Sequence, residues 1–439
     1  MQEITEKARQ IRDVIRYLKF FKKAVIVIYI DDEVINSPLL TSHIHDIALI
    51  HDAGLKIIIV PGARKRINEI LSSSQIGWTI EDGIRITSEE SVPLIKMAAF
   101  DVSNIIMTEL AGENISSVIG NWVKARGKGI INGIDYGSSG DIDKIQIDTI
   151  NTILENGHIP IFPCIGWSAV GKPYNISSIN LAEQIAEELH ADKLFYILPD
   201  FSITDFVLPQ GINITPEGNI PAMNVNELST LLTANTTSSS VPKSYLNLFK
   251  TALAACKKGV SRVHILDGKT DGIIPCEIFS AIGSGTMIYN DEYGGIRPMT
   301  REDISSVLSL MKPYIEEGIL LPRTNVTLLE NLNDYIVYEV DGGIHACAAL
   351  HIYENNQAEI AGVSVDESYS NMGVGPKMIS YLITKATEKK LKSVFVLTTK
   401  SADWFEKLGF IKDDINTIPQ ERKNIWTPSR NSKVLRRKI

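Results

Sequence analysis

A chain of 439 residues is long enough for two or three domains, each able to bury its own core. A net charge of −8 argues against a general nucleic-acid binder, and 44% hydrophobic with 22% charged residues is the composition of a soluble globular protein. The four cysteines (Cys164, Cys256, Cys276, Cys347) lie far apart without metal-ligand spacing, and the charged start has no signal-type apolar region. Together they predict a reducing cytoplasm, no bound metal and no membrane association; the apolar run Ala24–Ile30 is far too short to span a bilayer.

The N-terminal periodicity predicts a helix from about Ile4 to Lys19, with Ile11, Val14, Ile15 and Leu18 on one face. Such a helix either covers the domain that follows or docks on another subunit. A strand at Ala24–Ile30 comes next, then a helix (Leu39–Ala53), a strand (Lys56–Val60), the turn Pro61-Gly62-Ala63-Arg64 and another helix. Alternation continues through strands near Ile159–Pro163 and Lys193–Leu198, a helix at Ser178–Leu189, and strands at Ser261–Leu266 and Gly285–Tyr289. Strands alternating with helices predict a mostly parallel sheet covered on both faces. The Thr/Ser-rich span Leu232–Pro242 reads as a surface loop, and the polar Tyr289–Gly295 as a domain boundary.

A fresh pattern starts at Ile296. A meander of strands (Tyr335–Val340, Ile344–His351, Glu359–Val365) runs into a polar turn with Gly373 and Gly375, and then a helix whose apolar positions are Met378, Ile379, Leu382, Ile383 and Ala386. Pro376 falls where a first-turn proline is tolerated. Small residues at a strand-to-helix turn let backbone N–H groups approach an anion at the helix N-terminus, so the expected ligand carries phosphate. A strand Ser393–Thr399 and the segment Trp404–Phe410 follow. The stretch from Arg422 to Ile439 is basic without an acidic residue, which fits an anionic ligand or a solvated tail.

That second pattern resembles the GNAT acetyltransferases, whose pyrophosphate turn reads Arg/Gln-x-x-Gly-x-Gly/Ala. Gly373 and Gly375 match, whereas Ser370 stands where the family has Arg or Gln. The resemblance implies a mixed-sheet domain at 296–439 in which Val363, Val365, Met372, Gly373, Val374 and Gly375 contact acetyl-CoA. The first pattern resembles the amino-acid kinase family through Pro61-Gly62-Ala63-Arg64, Asp82-Gly83-Ile84-Arg85-Ile86-Thr87 and Tyr174-Asn175-Ile176. It implies a three-layer α/β/α sandwich at 23–290, behind a separate helix at 1–22. Tyr29, Asp31 and Asp32 replace the family's lysine and glycine pair, and Ile179 its catalytic aspartate, so a kinase reaction is not expected.

The two patterns in this order resemble the bacterial N-acetylglutamate synthase family, as do Cys347-Ala348-Ala349-Leu350, Leu397-Thr398-Thr399, Trp404-Phe405 with Gly409-Phe410, and Arg430 to Leu435. The resemblance implies acetyl transfer from acetyl-CoA to the amine of L-glutamate, the first step of arginine biosynthesis. It assigns Glu359 as base and Thr398 as the hydroxyl assisting thiolate protonation. Gly362, Arg323, Arg422 and Arg430 become the glutamate contacts, the arginines supplying the cationic forks that two carboxylates call for. Pro322 replaces an arginine common in the family. L-Arginine is the implied effector, bound by Arg12, Tyr17, His264, Asp267, Glu277, Gly283 and Gly285, with Glu277 as the carboxylate for its guanidinium and backbone N–H groups for its carboxylate. A ring-like homo-oligomer is implied too, a hexamer being one candidate. Without the resemblance, Glu359 reads as solvent-facing, Thr398 as strand packing and His264 as a core histidine. Two rivals stay open: a GNAT enzyme for another amine, and a catalytically dead arginine-binding regulator.

Overall fold

The computed structural model describes residues 11–439 apart from 13, 16, 82, 210, 211, 213, 216, 237, 239, 280–282, 291–293 and 427–429, and leaves out the side chains of Ser368, Asn371 and Met372. It divides into two compact units: Phe21–Tyr293, and Gly294–Ile439 together with the segment up to Phe20.

The front unit is built on a sheet of eight described strands: β1 (Val25–Ile30), β2 (Lys56–Pro61), β3 (Ser117–Ile119), β4 (Ile159–Ile161), β5 (Lys193–Leu198), β6 (Met223–Asn224), β7 (Arg262–Asp267) and β8 (Thr286–Tyr289). Their order is β6-β8-β7-β5-β1-β2-β4-β3. Every pairing is parallel except β7 with β8. Successive strand side chains point to opposite faces. Buried residues in unbroken runs, as in β1, β2 and β5, therefore mean that both faces are covered, as the alternating pattern predicts. A short helix, α1 (Arg64–Ser73), starts directly after β2.

Part of the expected surface loop at Leu232–Pro242 is helical instead. The helix Val225–Asn235 opens on a capping box between Asn224 and Glu227 and carries through to a buried Asn235. The Asn235 amide bonds the backbone of Val207 on both sides, N–H to Oδ1 at 2.8 Å and Nδ2 to carbonyl at 2.9 Å. A tertiary tie of this kind is not encoded in local composition, which is why the Thr/Ser content misleads. Residues 237 and 239 of that span, Asp82 of the kinase-like segment, and positions 4–10, 13 and 16 of the expected N-terminal helix lie outside the described residues. The described remainder of 11–20 is helical; Ile11, Ile15 and Arg12 are exposed and Tyr17 is buried. No helix among the described residues is long and apolar enough to cross a membrane.

The back unit carries seven described strands: β9 (Gly295–Pro298), β10 (Tyr335–Val340), β11 (Gly343–Tyr353), β12 (Gln357–Val365), β13 (Ser393–Thr398), β14 (Ile411–Asp413) and β15 (Lys433–Lys438), in the order β9-β10-β11-β12-β13-β15-β14. Helices α2 (Ile304–Glu316), α3 (Val374–Glu388) and α4 (Gln420–Asn424) accompany it. All pairings are antiparallel except β12 with β13. The basic stretch near Ile439 is thus not a solvated tail: β15 lies between β13 and β14 and pairs with both. Arg436 anchors it, bonding Asp413, Gln357, Ser393 and Thr417 while lying 5.5 Å over the Phe395 ring.

Candidate active site and effector region

Two backbone features open the back-unit sheet. The parallel register of β12 and β13 runs through Gln357–Ser393, Ala358–Val394 and Glu359–Phe395 and ends there. Farther along β12, Gly362 and Val363 together oppose the single residue Ala348, because Cys347 pairs with Ser364 and Ala349 with Ala361. That is a β-bulge, with Gly362 at φ +60° in the left-handed region open to glycine. A Cβ there would lie 3.2 Å from Met311 and 3.5 Å from Tyr335, so the close packing of α2 and β10 also selects glycine. The hydroxyl of Tyr314 donates to the Val365 carbonyl at 2.5 Å and fixes the end of the strand.

The glycine turn follows. Residues Glu367–Met372 form a 3-10 turn, and Gly373 (φ +69°) is the N-cap of α3, with Val374 and Gly375 in its first turn. A Cβ on Gly373 would meet no neighbour within 4 Å, so the requirement there is purely conformational. At Gly375 a Cβ would approach Trp404 at 3.1 Å. The Ser370 hydroxyl donates to the Glu367 carbonyl at 2.7 Å, closing the 3-10 turn on itself. Backbone N–H groups at a helix start beside a gap between two strands suit an extended ligand with a phosphate at one end.

Glu359 lies at the mouth of that gap and is 5% exposed, not solvent-facing. Its carboxylate and the Arg422 guanidinium of α4 form a buried fork, Nε to Oε2 at 2.6 Å and Nη2 to Oε1 at 3.2 Å. Tyr353 donates to the same Oε2 at 3.2 Å. The expected base and one of the expected glutamate readers are thus each other's partner. No motif marks Tyr353, yet hairpin arithmetic reaches it: the turn at 354–356 pairs Tyr353 with Gln357 and His351 with Glu359, which makes Tyr353 and Glu359 diagonal neighbours.

Thr398 is buried at the end of β13, and its hydroxyl accepts the Ser401 N–H at 3.0 Å, capping the turn. The adjacent Thr399 has a buried hydroxyl without a hydrogen-bond partner among the described residues. Arg323 donates to the Tyr335 hydroxyl at 3.3 Å and the Leu321 carbonyl at 3.4 Å. Arg430 donates to the Gly318 and Ile319 carbonyls at 2.9 and 2.8 Å. Both arginines therefore lean on the segment that leaves α2. Val363 is half-buried beside the bulge. Cys347, behind it, has its thiol pushed up to about 12 by burial and is no nucleophile.

In the front unit, His264 on β7 is buried, and its Nδ1 meets Glu277 Oε1 at 2.6 Å. Burial lowers the imidazole to about 4, outweighing the hydrogen bond it makes to Glu277. Burial alone would raise the Glu277 carboxyl; the bond to His264 and the N–H groups of Ser284 and Gly285, at 2.6 and 2.8 Å, reverse that and hold it below the usual range. The pair is therefore a neutral imidazole donating to a carboxylate. Glu277, expected to face a guanidinium, is engaged with His264, and two N–H groups expected to face a carboxylate are engaged with Glu277. Gly283 (φ +73°) and Gly285 are selected by that closure: Cβ atoms there would meet Glu277 Oε2 at 2.7 Å and the Ile265 carbonyl at 2.6 Å. Asp267 caps the turn after β7, accepting the Lys269 N–H at 3.0 Å.

The kinase-like turn is filled. A Cβ on Gly62 would lie 2.8 Å from the Tyr29 hydroxyl, which itself donates to Asp31 at 3.1 Å. Asp32 accepts the Lys65 N–H at the start of α1. Among the described residues, no group of three or more His, Cys, Asp or Glu is placed to hold a metal ion.

Residues 24–267 match the amino acid kinase family and residues 303–410 the acetyltransferase (GNAT) family. The chain is 32% identical over 438 residues to an amino-acid acetyltransferase of Actinobacillus pleuropneumoniae, covering 98% of each. It is 31% identical over 433 residues to that of Vibrio cholerae, covering 95% of each. Among solved structures it is similar to N-acetylglutamate synthase from Neisseria gonorrhoeae complexed with coenzyme A and L-arginine, with a TM-score of 0.80, 26% identity and coverage of 98% of this chain and 99% of that one. The same enzyme complexed with coenzyme A and N-acetyl-glutamate matches with a TM-score of 0.60 at 27% identity over the same shares.

Proposed function

Because this chain belongs to the amino-acid acetyltransferases, the family of N-acetylglutamate synthases in which a GNAT domain follows an amino-acid-kinase-like domain, we propose which of its residues perform the reaction. It is an N-acetyltransferase that moves acetyl from acetyl-CoA to the α-amino group of L-glutamate, the first step of arginine biosynthesis. The observation that carries the residue assignment is the parting of β12 from β13 immediately after Glu359, next to the helix start at Gly373.

In this reading the N–H groups of Gly373, Val374 and Gly375 take the diphosphate of acetyl-CoA, with Met372 leading into the turn. The arm of the carrier lies along Gly362, Val363 and Val365. Glutamate enters as an ammonium ion, so a base must remove a proton before the nitrogen can attack. Glu359 accepts that proton, the amine attacks the thioester carbonyl, the C–S bond breaks, and the departing thiolate takes a proton with help from the Thr398 hydroxyl. Arg323, Arg422 and Arg430 read the two carboxylates.

L-Arginine is the effector, with Arg12, Tyr17, His264, Asp267, Glu277, Gly283 and Gly285 as its contacts. With Glu277 already tied to His264, a guanidinium there would complete its remaining lone pairs rather than find an unpaired carboxylate. The exposed Ile11 and Ile15 support a homo-oligomer assembled through the N-terminal helix, in the cytoplasm.

Release of coenzyme A, followed with acetyl-CoA and L-glutamate with and without L-arginine, tests the reading. Glutamate-dependent release that changes with arginine is expected. Release with a different amine but not with glutamate, or arginine indifference, would overturn the corresponding part.

A further inference from the structure

The fork between Arg422 and Glu359 resolves into a second role for the pair. Arg422 is 9% exposed and Glu359 5%, so this is an ion pair largely removed from water. The guanidinium presents its planar fork to a carboxylate, the geometry in which an arginine would hold a substrate carboxylate. Both oxygens of Glu359 are occupied by it, and Tyr353 adds a third donor to Oε2. With the fork across both oxygens and Tyr353 on one of them, the carboxylate faces its own donors and not an incoming ammonium.

We propose that Glu359 is a placeholder for one substrate carboxylate: an incoming dicarboxylic amine takes the Arg422 fork and thereby releases Glu359, which then removes the ammonium proton. The inference rests on the assignment of Glu359 as base and extends it to a rule of selection. The exchange is electrostatically balanced, since one carboxylate leaves the fork as another enters, and no buried charge is left unpaired. Breaking a buried pair without such replacement is strongly unfavourable. An amine without the carboxylate cannot make the exchange, so it meets a Glu359 whose two oxygens are still held by Arg422. Tyr353 is a positioning residue that retains a hydrogen bond to Glu359 after Arg422 has let go.

Two measurements separate this exchange from its premise. First, Glu359→Gln replaces the charged competitor by a neutral one, and glutamate binding is read by calorimetry in the presence of coenzyme A alongside turnover. The expected result is a kcat lower by about 10²–10⁴-fold, the range of general acid–base catalysis, together with tighter glutamate binding. Glutamate binding that is unchanged or weaker overturns the exchange, while an unchanged kcat overturns the assignment of Glu359 as base. Second, the parent enzyme needs no variant to fold: L-glutamate α-amide and the γ-methyl ester are assayed as acceptors up to saturation. At least one of them is expected to lose kcat, not only KM. Both retaining the kcat of glutamate at saturation would overturn the exchange.

Discussion

The carboxylate of Asp32 accepts the backbone N–H of Lys65 in the first turn of α1, where the residue after a glycine turn would otherwise be open to an external anion. Tyr29 closes the same turn from the other side, its hydroxyl lying against Gly62. The front unit thus keeps the strand-turn-helix geometry of a phosphate site but fills it with its own acid. Burial, and then the neighbouring Asp31, push the Asp32 carboxyl up to about 6 from 3.8.

A raised carboxyl stabilises the fold at low pH and loses that contribution as pH rises through its folded value. Asp32→Asn keeps an acceptor for Lys65 and removes the charge. It is expected to raise the melting temperature of the front unit above pH 6, with the gain shrinking to nothing below about pH 4. Melting scans of parent and variant at pH 4 and 7.5 check this. A gain of equal size at both values, or a loss at pH 7.5, would contradict it.

His264 has the opposite sign. Its folded value of about 4 lies below the ordinary 6.5, so between those limits the unfolded chain binds the extra proton and acid favours unfolding. Stability should fall as pH drops from 6.5 towards 4, and His264→Gln should flatten that slope. A variant whose melting temperature follows the parental pH curve would show that the imidazole does not titrate in this window.

At Gly373 the demand is conformational alone. Gly373→Ala forces an L-residue to φ +69° and should cost about 1 kcal/mol, with coenzyme A affinity falling several-fold as the turn's N–H groups swing away. Gly373→Asn, which tolerates the left-handed region, should recover part of both. Calorimetry with coenzyme A and melting scans decide it; equal affinity in the alanine variant would remove the turn from the binding site.

Arg436 is a stability residue outside the proposed chemistry. Arg436→Ala removes bonds to four side chains and should destabilise the back unit by about 3 kcal/mol without altering the KM for either substrate. Denaturant unfolding followed alongside steady-state kinetics is the measurement. A changed glutamate KM at unchanged stability would place it in the site instead.

Much of this architecture is legible from spacing. Buried runs such as Val25–Ile30 and Lys193–Leu198 mark a doubly covered sheet because they are too short for a buried helix and rich in β-branched or aromatic residues. Gly373 is legible because a strand-to-helix turn needs a left-handed residue. Partnerships are not legible. Glu359 and Arg422 are 63 positions apart, and nothing in either neighbourhood says that the acid and the cation neutralise one another. The pairing of His264 with Glu277, and β15's place between β13 and β14, likewise depend on long-range register. Asn235 shows the same limit from another side, since polar composition predicts a loop where one buried amide holds a helix end.

Past Glu359, β12 and β13 diverge with their facing backbone donors and acceptors no longer matched to each other. An elongated guest bearing amide groups could serve there as a detachable extra strand, making continuity of the sheet conditional on occupancy. Amide exchange along Ile360–Val365 and Val396–Thr398 would then slow when the guest arrives, and the flanking halves would stiffen as a single plate.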